Sequence, residues 1–300
     1  MNASVLEAPA MTAQQAPGKL LVGLIGAGIQ HSLTPAMHEE EARHHGLRLH
    51  YQLIDLDRTA NTVKALPTLV SAARTMGFAG LNITYPCKQA VIALLDELSE
   101  EASAMGAVNT VVNRGGALVG HNTDGSGWSW GFRRALPQAD LNHVVLLGAG
   151  GAGSAIAHGV LRLGARELTV VDSNADRAAN LAESLNAGYG AGRVGASSDI
   201  ATAMRAATGL IHATPTGMDN LPGLPLPEAL LRPDLWVAEI VYFPLETALL
   251  KAARARGCAT VDGGTMAVGQ AVGAFELFTG LKPDAARMEA HLGRMLAGRP

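Results

Sequence analysis

The sequence predicts an α/β protein of two domains with a cleft between them. Short apolar runs of strand type alternate with segments of helical spacing, which is typical of mostly parallel sheets covered by helices. The chain has 300 residues, of which 48% are hydrophobic, and this length favours two cores over one. Two apolar runs, LVGLIGAGIQHS from Leu21 and VVLLGAGGAGSA from Val144, also lead into Gly-Ala-Gly turns.

The first unit is predicted to begin near Leu20, after a flexible tail at residues 1–18 that is rich in Ala, Gln and Pro. A helix is expected to start at Pro35 and to end at Gly46. The turn Asn113-Arg114-Gly115-Gly116 predicts a hairpin. Strands are expected in LLVGLI, YQLIDLD, AGLNIT, AVNTVV and ALVGHN.

The second unit follows a junction near residues 125–131. Its strands are expected in VVLLG, ELTVVD, GLIHAT, WVAEIV and CATVDG, with helices between them. The last segment shows helical spacing but no strand, which indicates that it packs back on the first unit. The predicted domains are therefore residues 19–124 with 264–300, and residues 125–263.

Composition narrows the class of partner. The net charge of -3 leaves no excess of Lys and Arg for a polynucleotide or an anionic membrane, so small molecules are expected. The uncharged stretch 144–160 is too short and too rich in glycine for a membrane span, so a buried strand that leads into a helix is expected there. Two cysteines form no disulfide framework, and the N-terminus lacks the pattern of a secretory signal, so a cytoplasmic protein is predicted.

The second glycine turn contains a complete G-x-G-x-x-G between a strand and a helix. This pattern predicts a Rossmann domain, in which the helix N-terminus receives a pyrophosphate. The next strand ends at Asp172, 19 residues beyond Gly153, where a carboxylate can bind the ribose hydroxyls of NAD. Arg177 lies close to Asp172 in sequence, and its positive charge would reduce the repulsion of a 2'-phosphate, so NADP is not excluded. The predicted loop consists of Gly148, Ala149, Gly150, Gly151, Ala152 and Gly153.

The first glycine turn is incomplete, because His31 stands at the third glycine position. Ser32 and Thr34 precede or open the next helix, where their hydroxyls and the positive helix end suit a carboxylate; alternatively, Thr34 caps the helix. The spacing does not fit H-E-x-x-H, so no metal site is expected and a solvated polar face is predicted instead. That face consists of His38, Glu39, Glu40, Glu41, His44 and His45.

Several polar motifs follow strands in this chain: Asn82-Ile-Thr84-Tyr-Pro-Cys87-Lys88, Asn109-Thr110 and Asn122-Thr123-Asp124. Together with His31-Ser32-x-Thr34-Pro35, Ala213-Thr214-Pro215-x-Gly217-Met218 and residues 264–271, they resemble the shikimate dehydrogenase family from about residue 23 to 284. Thr34 and Asp172 are more similar to the NAD-dependent quinate/shikimate branch than to the NADP-dependent biosynthetic branch.

The resemblance implies an oxidoreductase that interconverts quinate and 3-dehydroquinate, or shikimate and 3-dehydroshikimate, with NAD. Lys88 and Asp124 would be the catalytic pair, with Lys88 taking the hydroxyl proton. The residues implied for substrate binding are Ser32, Thr34, Asn82, Thr84, Asn109, Tyr242 and Gln270. Those implied for the cofactor, beyond the glycine loop, are Asp172, Arg177, Thr214, Pro215 and Gly263.

Three positions depart from the family pattern. His212 stands where asparagine is frequent, Glu239 where aspartate is common, and Cys87 where a bulkier residue is usual; Cys87 beside Lys88 predicts sensitivity to thiol reagents. The alternatives left open are an NADP-dependent shikimate dehydrogenase, an aminoshikimate or folate-linked dehydrogenase, and a non-catalytic NAD-binding sensor. The sequence allows a monomer or a homodimer.

Overall fold

A computed structural model describes residues 18–58 and 62–298. Residues 1–17, which hold almost all of the predicted tail, lie outside this range. The described chain forms two six-stranded sheets with helices packed around them, and the predicted α/β class is confirmed. Within the described residues, none of the helices is both long and apolar enough to span a bilayer.

The first sheet has the order β2-β1-β3-β5-β6-β4. Strands β1 to β3 are parallel, whereas β5 and β6 form the antiparallel hairpin that the turn at residues 113–116 predicts. The short β4 was not expected; it pairs parallel with β6. The strands are β1 (Lys19–Gly26), β2 (Arg48–Asp55), β3 (Gly80–Ile83), β4 (Glu97–Leu98), β5 (Thr110–Arg114) and β6 (Ala117–His121).

The second sheet is entirely parallel, with the order β12-β11-β10-β7-β8-β9. This is the strand order of a Rossmann domain, in which a ligand crevice opens where the order reverses, between the ends of β7 and β10. The strands are β7 (His143–Leu147), β8 (Glu167–Val171), β9 (Val194–Ser197), β10 (Gly209–His212), β11 (Trp236–Glu239) and β12 (Ala259–Val261).

Ten helices of the described chain cover or join the sheets: α1 (Thr34–His44), α2 (Leu66–Thr75), α3 (Glu100–Met105), α4 (Asp124–Ala135), α5 (Gly151–Arg162), α6 (Ala175–Tyr189), α7 (Ile200–Met204), α8 (Ala248–Ala255), α9 (Gly263–Thr279) and α10 (Ala285–Ala297). Helix α4 leads from the first sheet to the second, and α9 leads back. They touch backbone to backbone, because an added Cβ on Gly127 would lie 2.4 Å from the Gln270 nitrogen. Both chain crossings therefore run side by side.

The polar side chains of α1 do not form the solvated face that the sequence predicts. His38 is fully buried against the rings of Tyr51, Phe275 and Phe278, and neither of its ring nitrogens has a hydrogen-bond partner. The prediction is wrong because α9 covers this side of α1. The more exposed side chains of this set, Glu39 and His44, fit the expectation.

Glu41 is the second buried group on α1, with 1% of its side chain exposed. Its carboxylate accepts hydrogen bonds from the Arg287 guanidinium at 2.5 and 2.8 Å and from the Asp284 N–H at 2.8 Å. Burial alone would raise the pKa of Glu41, but these donors hold it below its ordinary value. The contact fastens α10, near the end of the chain, to the first helix.

We expect His38→Leu to remove much of the acid sensitivity of the fold. Burial lowers the pKa of His38 from 6.5 to about 3, so near pH 5 the unfolded chain binds this proton and the folded chain does not. The folded state thus loses stability as pH falls below the unfolded pKa, by about 2 kcal/mol at pH 5 for this group. Urea unfolding near pH 8 and near pH 5 measures the difference.

The control is His50→Gln, which replaces a histidine that is exposed, in contrast to the buried His38. If wild type and His38→Leu lose the same free energy of unfolding between the two pH values, the prediction is wrong.

Candidate active site

The carboxyl-end loops of both sheets meet where α4 begins. Gly125 packs against α5, since an added Cβ would lie 2.7 Å from the Ala155 carbonyl oxygen. Helix α5 follows the glycine turn of the second sheet, and Asp124 ends the β6 loop of the first. The polar residues after β3 and β6, and those at the start of β5, therefore share one cleft with the second glycine turn.

Lys88 and Asp124 are in direct contact at this cleft. The Lys88 Nζ donates to Asp124 Oδ2 at 2.5 Å, and the two side chains are 22% and 8% exposed. Lys88 follows β3, whereas Asp124 is the first residue of α4, so elements 36 residues apart bring the pair together. The structure thus places an amine beside a carboxylate at the edge of a sheet, within reach of solvent.

Asn109 fixes the other side of the Asp124 carboxylate. Its Nδ2 donates to Asp124 Oδ1 at 2.8 Å, while its Oδ1 accepts from the Thr123 N–H at 2.8 Å. These two bonds determine which way the amide faces. The Thr123 hydroxyl also donates to the Gln270 carbonyl oxygen at 3.1 Å, which ties α9 to the same cluster. Thr123 therefore connects Asn109 to the backbone of α9 at Gln270.

Asn82 lies beneath Asn109 and is buried. Its Nδ2 donates to the Asn109 carbonyl and to Thr110 Oγ1, and its Oδ1 accepts from the Tyr51 hydroxyl at 2.6 Å. Thr110 in turn donates to Asn109 Oδ1 at 2.9 Å. Both amide hydrogens of Asn82 are engaged inside the protein, so its position suits support of Asn109 better than direct contact with a ligand.

The first glycine turn brings β1 and β3 close together instead of opening a nucleotide loop. An added Cβ on Gly26 would lie 2.2 Å from Cγ2 of Thr84, so only glycine allows this approach. Ser32 Oγ accepts from the Thr34 N–H at 3.3 Å. Thr34 is already inside α1, whose N-cap is Leu33 with no side-chain bond, so the capping interpretation of Thr34 is wrong.

The second glycine turn has the geometry of a pyrophosphate cradle. Gly148 has φ +102°, and an added Cβ on Gly153 would lie 1.9 Å from the Gly148 carbonyl oxygen, so the turn and α5 pack backbone to backbone. Added Cβ atoms on Gly150 and Gly151 would point into open space. The space in front of the α5 N-terminus therefore fits a dinucleotide phosphate.

Asp172 is held at the end of β8 by the same turn. Its Oδ2 accepts from the Ala149 N–H and its Oδ1 from the Asn174 N–H, both at 2.8 Å. Arg177 Nη1 lies 3.7 Å away. Burial works to raise the pKa of Asp172, but these donors and Arg177 lower it below its ordinary value. The group is thus a fixed, charged acceptor beside the cradle.

The remaining predicted residues lie on other loops and on α9. Thr214 and Pro215 follow β10, and Thr214 Oγ1 is 2.5 Å from Nε2 of His212. Gly263 begins α9, where a Cβ would press on the carbonyl oxygens of residues 240 and 241. Tyr242 is 40% exposed. The Gln270 side chain donates to the Ala267 carbonyl oxygen at 3.0 Å.

Sequence patterns assigned no role to two polar residues of this region, Tyr51 and Thr123, and the prediction for Cys87 was wrong. Tyr51 and Thr123 belong to the network under Lys88 and Asp124; the repeated Asn-Thr pairs were the only signal for Thr123. Cys87 is 0% exposed, and burial raises the pKa of its thiol. The predicted thiol sensitivity is therefore wrong, because the sulfur is both covered and protonated.

Comparison with known proteins gives a consistent result. The family described as "Shikimate dehydrogenase substrate binding domain" matches residues 24–111, and "Shikimate 5'-dehydrogenase C-terminal domain" matches residues 263–292. A shikimate dehydrogenase (NADP(+)) of Streptomyces avermitilis is 58% identical over 92% of this chain and 95% of its own length. A quinate/shikimate dehydrogenase (NAD(+)) of Corynebacterium glutamicum is 48% identical over 90% of this chain and 96% of its own.

Solved structures agree with these relatives. The quinate dehydrogenase of Corynebacterium glutamicum, in complex with NAD, superimposes with a TM-score of 0.88 at 46% identity, covering 92% of this chain and all of its own. The resemblance that the motifs predict is confirmed over nearly the whole fold.

We expect Gly153→Ala to destabilise the protein and Gly150→Ala to leave its stability nearly unchanged. The first Cβ would collide with a backbone carbonyl, which costs about 1 to 3 kcal/mol. The second would meet open space at φ -75°, an ordinary value for alanine, but it would occupy the cradle and weaken dinucleotide binding. Thermal unfolding with and without NAD measures both effects.

Equal melting temperatures for the two variants would contradict this assignment of the turn. Gly293→Ala, in α10 with no neighbour near the added Cβ, serves as the control for a harmless glycine substitution.

Proposed function

Because the chain belongs to the shikimate dehydrogenase family, we propose that it is an NAD-dependent dehydrogenase acting on quinate and shikimate. It is an oxidoreductase of CH–OH groups, and it would interconvert quinate with 3-dehydroquinate and shikimate with 3-dehydroshikimate. The observation that carries the proposal is the Lys88–Asp124 contact beside the glycine turn of the second sheet.

The reaction requires one group on the chain to handle a proton. Oxidation of a secondary alcohol removes a hydride from carbon and a proton from oxygen, and bound NAD supplies the hydride acceptor. Lys88, as an amine, takes the hydroxyl proton and returns it in the reverse reaction. Asp124, held by Asn109, accepts a hydrogen bond from the resulting ammonium and keeps Nζ in place.

Substrate binding is assigned to the first sheet and α9. The hydroxyls of Ser32 and Thr34, at the N-terminus of α1, hold the substrate carboxylate, with Thr84 alongside. Ring hydroxyls contact Asn109, Asp124 and Gln270, and Tyr242 lies at the exposed edge. Asn82 acts through Asn109, because its own amide hydrogens are already bonded.

The chain is accordingly divided into two working parts. Residues 19–124 with 264–300 bind the substrate, and residues 125–263 bind the dinucleotide. In the second part, the turn at residues 148–153 holds the pyrophosphate, and residues 214, 215 and 263 line the rest of the dinucleotide cleft.

Asp172 favours NAD over NADP. A hydrogen bond from a ribose hydroxyl to a carboxylate contributes about 1.5 to 3 kcal/mol, whereas the same carboxylate repels a 2'-phosphate. Arg177 is the observation that favours the second candidate, an NADP-dependent shikimate dehydrogenase, because its guanidinium lies 3.7 Å from Asp172 and is half exposed. The relatives include enzymes named for each cofactor.

We expect Lys88→Met to lower kcat for quinate or shikimate oxidation by about 100-fold or more, the usual contribution of a positioned proton acceptor. KM for the substrate should change little, since other residues hold the carboxylate. Steady-state absorbance of reduced nicotinamide measures both constants. Lys64→Met, at an exposed lysine of the same domain, should keep wild-type rates; near-normal kcat in Lys88→Met would refute the assignment.

We expect wild type to favour NAD over NADP by about tenfold or more in kcat/KM, and Asp172→Asn to lose about 10- to 100-fold with NAD. Removing the carboxylate charge should at the same time improve the use of NADP. Asp176→Asn, in the first turn of α6, is the matched control. A wild-type preference for NADP would select the second candidate.

A further inference from the structure

His212 and Glu239 form a buried pair at the cleft edge of the second sheet. They end β10 and β11, where they are partners in the parallel register. Both side chains are 0% exposed, and His212 Nδ1 lies 2.8 Å from Glu239 Oε1. Taking two ionisable groups out of water costs free energy unless each is fully hydrogen-bonded. The hydrogen-bond partners of His212 and Glu239 therefore show which segments of the chain the pair fixes in place.

Glu239 binds the chain that follows its own strand. Its Oε1 accepts hydrogen bonds from the N–H groups of Ile240 and Val241, at 2.8 and 3.0 Å, and its Oε2 accepts from the Thr247 hydroxyl at 3.0 Å. The carboxylate therefore fixes the backbone that leads directly to Tyr242. This backbone also supports Gly263 at the start of α9.

His212 connects this carboxylate to the loop of the neighbouring strand. Because Nδ1 faces the Glu239 carboxylate and donates to it, Nε2 faces the Thr214 hydroxyl, at 2.5 Å. Thr214 in turn stands against the glycine turn, since an added Cβ on Gly148 would lie 3.0 Å from its Cγ2. The imidazole thus holds the Thr214 hydroxyl, and the Thr214 methyl group lies beside the proposed pyrophosphate cradle.

We propose that His212 and Glu239 are positioning residues for the dinucleotide. Glu239 orients the imidazole and the 240–242 backbone, and His212 holds Thr214 in place, with its methyl group against the glycine turn, beside the bound cofactor. Neither residue takes part in proton transfer to the substrate. The inference rests on the proposed function, because it requires a dinucleotide at the glycine turn.

A double-mutant cycle tests this inference by isothermal titration with NAD. His212→Phe and Thr214→Val should each raise the Kd for NAD about tenfold, and the double variant should also raise it about tenfold, because both changes break the same contact between the imidazole and the Thr214 hydroxyl. At saturating NAD, the kcat of His212→Phe should stay within about twofold of wild type. Thr214→Ser, which retains the hydroxyl, should restore the Kd nearly to the wild-type value.

His158→Phe is the matched control, since His158 is a buried histidine of the same domain that contacts the Tyr189 hydroxyl. It should lower the melting temperature without changing the Kd for NAD. If His212→Phe does not fold, the Kd for NAD of Thr214→Val tests the inference, because this variant leaves the buried pair of His212 and Glu239 intact.

A wild-type Kd in His212→Phe or in Thr214→Val overturns the inference, and so does an increase of about a hundredfold in the double variant, which would mean independent effects. Failure of the unmodified protein to bind either NAD or NADP would overturn the proposed function itself. Normal NAD binding in wild type and in His212→Phe would overturn only the role of the pair.

Discussion

The Asp124 carboxylate joins the two halves of the molecule. Its two oxygens accept from Lys88 and Asn109, both on the first sheet, while its main chain begins the helix that leads to the second sheet. Thr123, the preceding residue, reaches the Gln270 carbonyl on the returning helix. Moving this carboxylate would disturb the amine beside it and the packing of α4 on α9 together. The geometry of the proposed proton transfer therefore depends on the same contacts that connect the sheets.

In both sheets, a carboxylate at the end of a strand accepts a hydrogen bond from the backbone of a glycine turn, but the two turns lead to different sites. In the second sheet, Asp172 accepts from the Ala149 N–H; in the first, Asp55 accepts from the Gly28 N–H at 3.2 Å. Gln30 donates to the other oxygen of Asp55, and α1 starts only at Thr34. The first turn thus keeps the strand-end carboxylate of a nucleotide loop but uses it internally, and it delivers the chain to Ser32.

Local patterns predicted the hairpin, the glycine loop and the strands other than β4 and β9, because each of these depends on residues close in sequence. The contacts of α1 were not predictable in this way. Glu41 meets Arg287 across 246 positions, and nothing in HEEEARHH indicates that His38 will lie under Phe275. Lys88 and Asp124 were identified through their resemblance to a family, since residues 36 apart carry no local sign of contact. His212 and Glu239 were noticed as two separate departures, and only the sheet register shows that they face each other.

The chain ends in the domain in which it begins, and this affects the order in which the two domains can fold during translation. Helix α10 packs on α1 through Met37, Met288 and Leu292, and Arg287 neutralises the buried Glu41. On the ribosome, all strands of the second sheet are synthesised before α10. The first domain, in contrast, is not fully covered until α10 has been synthesised. Newly made chains should therefore expose the apolar side of α1 until translation ends, and a premature stop before residue 285 would remove Arg287, the cation that binds the Glu41 carboxylate.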